Sequence, residues 1–88
     1  MTDKQLQEKL EKLRHEVDRV AGDDPGAREQ LDRLIREIEK RLALPSDSEL
    51  HDNLLLGLKD TISQFETDHP RATAILNDIM VLLSNVGI

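Results

Sequence analysis

Apolar residues recur through the first 21 positions at alternating steps of four and three, as Leu6, Leu10, Leu13, Val17 and Val20. Such spacing marks one narrow face of an α-helix whose remaining surface is charged, the a/d seam of a packed helix. It predicts a helix over residues 3–21, opened by a Thr2–Gln5 capping box and closed by Gly22 as a left-handed residue past its end. Asp23-Asp24-Pro25-Gly26 then reads as a turn, with Asp24 as cap and Pro25 as first residue of a second helix over 25–43. Ala27, Leu31, Leu34, Ile35, Ile38 and Leu42 form its apolar stripe. On its charged face Glu29–Arg33, Asp32–Arg36 and Glu37–Arg41 place acid four residues before base, about 0.2–0.5 kcal/mol per pair if formed.

Leu44-Pro45 stops the second helix, and Ser46 with Glu49 suits a capping box for a third helix over 47–66. Leu50, Leu54, Leu58, Ile62 and Phe65, joined by Leu55, give it a wider apolar arc, with Leu56 pointing away. Gly57 weakens its middle unless something packs close. Asp68-His69-Pro70 is read as a structural turn, a true reversal with Asp68 or His69 as cap and Pro70 in the first turn of a fourth helix over 70–86. Ala72, Ile75, Leu76, Ile79, Met80, Leu82, Leu83 and Val86 make this the broadest apolar face, so the fourth helix is expected to be the most buried and to end at Gly87-Ile88. Val81 falls on its opposite side.

Connections of a few residues force successive helices to run antiparallel. The fold expected is therefore all-α, an antiparallel up-down four-helix bundle in a single domain of residues 1–88. The alternative is a pair of helical hairpins, the first projecting while the second carries the core.

Charge narrows the functions this bundle can serve. The chain has 12 bases against 18 acids, a net charge of −6, and residues 45–69 hold one base, Lys59, against six acids. With one aromatic residue and no cationic face, nucleic-acid binding is not expected, because neither counterion release nor base stacking has a platform. Lys4, Lys9, Lys12, Arg14 and Arg19 share the first helix, but acids interleave them. The absence of cysteine rules out disulfides and thiolate metal sites and suits a reducing compartment. The charged opening Met1-Thr2-Asp3-Lys4-Gln5 offers no signal-peptide core and no segment has membrane-span length, so a cytoplasmic protein without membrane contact is expected.

Candidate chemistry is sparse. His15, His51 and His69 are not paired at ligand spacing, and surface or capping roles are expected for them, His69 holding its turn. Glu11–His15 and Asp47–His51 are isolated four-residue pairs, and no Glu-x-x-His falls on inward helix positions as a di-metal site would need. There is no phosphate-cradling glycine loop, and Ser46, Ser48, Ser63 and Ser84 lack a nucleophile setting. No enzyme activity, cofactor or metal is expected. Arg71, Asn77 and Asp78 read as the polar edge of the last helix, opposite its apolar stripe.

The stretch Phe65-Glu66-Thr67-Asp68-His69-Pro70-Arg71, continuing through Leu76-Asn77-Asp78-Ile79-Met80 to Asn85-Val86-Gly87-Ile88, resembles the closing motif of domain-of-unknown-function family 4404. Members are small bacterial helical proteins with a charged helical N-terminal half, so the resemblance covers the whole chain and is specific in its last third. It implies no activity. The chromosome-partitioning label sometimes attached to members would need a nucleotide-binding loop that this chain lacks.

The function expected is a non-catalytic helical interaction or structural module that self-associates and binds another protein. The surplus apolar residues Leu56 and Val81 are its candidate interface, and a homodimer contacting through the last two helices is its expected form. An accessory nucleic-acid or chromosome-associated factor and a metal or small-ligand binder are the alternatives.

Overall fold

The computed structural model describes residues 2–22, 24–44 and 46–86. The expected roles of Asp23, Pro45, Gly87 and Ile88, and of the Thr2 and Val86 side chains, lie outside the described residues. Four helices account for nearly all of the described chain: α1 (Thr2–Ala21), α2 (Pro25–Ala43), α3 (Ser48–Phe65) and α4 (Pro70–Val86). All four begin and end within two residues of the positions set by the apolar spacing.

Local chemistry fixes the ends. Asp24 caps α2, its Oδ1 accepting the Ala27 N–H at 3.1 Å, and Pro25 opens the helix where no N–H is needed. α3 is capped one residue later than expected. Asp47, not Ser46, accepts the Leu50 N–H at 3.0 Å, because the ionised carboxylate is the stronger acceptor for the exposed donors of a helix start. Gly22 does not take a left-handed conformation. The Asp24 N–H reaches back to the Val20 carbonyl at 2.9 Å, so the chain leaves α1 on a continued helical turn and needs no positive φ. The three acid-before-base pairs expected on α2 do not form. Arg28 instead meets Asp32 at 3.7 Å, and Arg41 turns inward.

Each helix packs on two others: α1 on α2 and α4, α3 on α2 and α4. That ring, closed by short connections, is the antiparallel up-down bundle, and the projecting-hairpin alternative is excluded by the contacts of α1 with α4 and of α2 with α3. The radius of gyration, 12.2 Å, matches the roughly 12 Å of a compact chain of this length. One apolar core runs through the centre, with Leu13, Leu31, Ile38, Leu54, Leu58, Leu76, Ile79 and Leu83 fully buried.

The breadth expected of the last two helices is not found. α3 buries His51, Leu54, Leu58, Thr61 and Phe65, again at alternating steps of three and four, while Leu50, Leu55 and Ile62 are only half-buried. α4 buries Ala72, Leu76, Ile79 and Leu83 and leaves Ile75, Met80 and Leu82 half-buried, so it is not the most buried helix; α2 buries six residues. In a ring of four, each helix turns one narrow seam to the centre, whatever its total apolar content.

Candidate interaction surface

Two of the half-buried residues that the seams leave over, Leu55 and Met80, line the same groove. Leu55 and Leu56 on α3 and Met80 and Ser84 on α4 line an open groove of about 500 Å³, with Asp52 and Lys59 as its charged groups. Leu55 and Met80 pack against the core and form its floor. Leu56 stands above them, 66 % exposed. Val81, 48 % exposed, lies elsewhere, in a groove of about 350 Å³ that it and Leu82 share with Gln5, Glu8 and Lys9 of α1. The two candidate interface residues therefore line different grooves, the one holding Leu56 with Leu55 and Met80 packed against the core beneath it, the other bordered by Gln5, Glu8, Lys9 and Asp78.

The Asp68-His69-Pro70 turn reverses the chain, and α3 and α4 pack on each other. His69 joins this turn to the one before α2, its Nε2 lying 3.2 Å from Asp24 Oδ2. Its ring also packs on Phe65, with centroids 5.2 Å apart, and its carbonyl accepts both the N–H and the hydroxyl of Thr73. The Ala27 N–H, followed by the His69 imidazole, holds the Asp24 carboxyl below the usual carboxylate range. These contacts tie two turns at one end of the bundle, which is a structural role. The same turn borders a polar cleft with Glu16, Arg19 and Arg71.

At the other end lies a pair that spacing alone does not reveal. Arg41, in the last turn of α2, is buried, and its Nε donates to Nδ1 of His51 at 2.8 Å. Since an arginine Nε can only donate, Nδ1 must be unprotonated and the His51 ring proton sits on Nε2. The guanidinium is favoured there by the carbonyl end of α2. His51 is thus a core residue, not the surface residue expected of it. The signal available in the sequence was its place on the seam with Leu54, Leu58, Thr61 and Phe65.

The remaining polar residues pair across the bundle. Lys9 meets Asp78 at 3.1 Å between α1 and α4, Arg14 meets Glu39 between α1 and α2, and Gln30 donates to Gln64 at 2.9 Å between α2 and α3. Two of the five bases on α1 are therefore engaged by acids of other helices. Glu11 serves Arg14, and Asp47 serves the start of α3, so neither presents a free ligand pair with His15 or His51. Arg71, Asn77 and Asp78 are exposed along α4, and among these Asp78 is held by Lys9. Among the described residues no group of three or more His, Asp or Glu side chains is placed to hold a metal ion, and no helix is long and apolar enough to cross a membrane.

Comparison with known proteins leaves the activity open. No curated protein and no solved structure matches the chain. The family motif, in contrast, extends through the charged N-terminal half as well as the closing residues: from residue 6 to residue 88 the chain matches the domain of unknown function DUF4404, and it belongs to that family.

Proposed function

We propose that the protein is a non-catalytic helical interaction module that pairs with a second copy of itself through the α3–α4 face and presents the assembled bundle to another protein. The observation that carries this reading is Leu56, 66 % exposed above a floor of Leu55 and Met80. Burying such a side chain gains about 1.5–3 kcal/mol, and an apolar groove beside it offers the place to do so. The cysteine-free chain suits a reducing compartment, which supports placing this module in a bacterial cytoplasm.

Sedimentation of the parent and of Leu56→Glu tests the reading. The parent is expected to sediment as a dimer, and the variant as a monomer of unchanged helical content. A parent that stays monomeric at high concentration defeats the self-association. The nucleic-acid alternative has less support, because Lys9 and Arg14 are occupied by Asp78 and Glu39. DNA binding with a steep salt dependence would nevertheless favour it, and metal found in the purified protein would favour a metal-binding role.

A further inference from the structure

We infer that the second copy docks antiparallel across α3, with the two-fold axis passing between Leu55 and Leu56 and with Asp52 of each copy facing Lys59 of the other. The inference rests on the self-association proposed above and specifies its geometry. Asp52 and Lys59 are the two charged residues of the Leu56 groove, seven residues apart and so on the same face of α3. Both are exposed, and among the described residues neither forms an ion pair within the chain.

Symmetry and charge together select the register. A closed two-fold dimer presents the same patch twice. Two α3 helices running parallel would set Asp52 against Asp52 and Lys59 against Lys59, so like charges oppose that arrangement. Running antiparallel, the register that pairs Asp52 with Lys59 necessarily pairs Leu55 with Leu56, which puts the apolar residues at the axis and one opposite-charge pair on each side. An antiparallel register one turn further along sets Leu56 against Lys59 and leaves Asp52 facing Ser63. Each copy carries a net charge of −6, which opposes association, and Lys59 is the sole base between residues 45 and 69. Its place on this groove supplies the local complementarity that the rest of the segment lacks.

The test is a charge exchange followed by sedimentation at low ionic strength, with circular dichroism to confirm the fold. Asp52→Lys and Lys59→Asp each turn both cross-copy pairs repulsive and should weaken the dimer by roughly tenfold or more. The double variant D52K/K59D restores both pairs with reversed polarity and should return to near the parent's affinity. So should an equimolar mixture of the two single variants, as a heterodimer, since the lysines of one then face the aspartates of the other. Added salt should shrink all these differences. If the single variants dimerise like the parent, or the double variant is no tighter than the singles, this register is wrong. A dimer still abolished by Leu56→Glu would in that case preserve the groove as the interface, whereas a monomeric parent overturns the interface and the register together.

Discussion

Arg41 and His51 show how two polar residues can share a core without an ion pair. Their 2.8 Å hydrogen bond joins the end of α2 to the start of α3, and both side chains are buried. Removing one partner leaves a buried group without its bond, which costs more than the bond contributes when intact. His51→Leu alone is therefore expected to destabilise the protein by about 1–3 kcal/mol in urea denaturation. The double variant Arg41→Met with His51→Leu should recover most of that loss; if it does not, the pair is worth more than its burial argument allows. Asp24 supports a prediction in pH. Its folded pKa lies below the unfolded value, so its contribution is present above about pH 4, the ordinary carboxylate value, and is lost as pH falls through the depressed folded one. Asp24→Asn keeps an oxygen for the Ala27 N–H but loses the charge facing His69. Its melting temperature should lie below the parent's at neutral pH, and the gap should narrow as the medium becomes acidic below pH 4.

At the scale of the helix, Gly57 is the residue whose cost to α3 the structure does not require. Its φ is negative, and a methyl group there would meet Glu37 Oε2 and Leu34 Cδ2 at 3.7 Å, ordinary contact distances. Gly57→Ala should then stabilise the protein by about 0.5–1 kcal/mol, read as a rise in the denaturation midpoint. A loss of stability would mean that α2 and α3 pack more tightly than these distances show. The same helix shows where sequence reading reaches its limit. Its ends were legible to within one residue because turn residues and apolar spacing act locally, although the cap is Asp47 and not the expected Ser46. Its buried face was not, because Leu50, Leu55 and Ile62 are as apolar as Leu54 and Leu58, and periodicity cannot tell a core leucine from a flanking one. His51 and Thr61 took core positions because their polar atoms are satisfied there: the imidazole by Arg41 of α2, and the Thr61 hydroxyl by the Gly57 carbonyl one turn back on α3, at 2.9 Å. The exposed Leu56 was visible from its phase on the helix. The groove beneath it required knowing that α4 brings Met80 alongside.

At the scale of the whole molecule, the ring of four helices makes stability a shared property. Leu13, Ile38, Leu58 and Leu76, one on each helix, are fully buried in the single core where all four seams converge. Leu13→Ala on α1 and Leu76→Ala on α4 should each cost about 2–5 kcal/mol. Both should shift one common unfolding transition, whether it is followed by helical content or by hydrogen exchange; separate transitions would show that the two hairpins fold independently. Since small domains are stabilised by about 5–15 kcal/mol in all, either change should bring the chain near the limit of folding. Association adds to this balance only if it involves the folded state. A second copy that binds the native bundle and not the unfolded chain raises the melting temperature as protein concentration rises. The parent should therefore melt at a higher temperature when concentrated, while Leu56→Glu, folded but unable to pair, should melt at one temperature throughout. If the parent's transition is equally independent of concentration, the exposed leucine lies on a surface that no second copy covers.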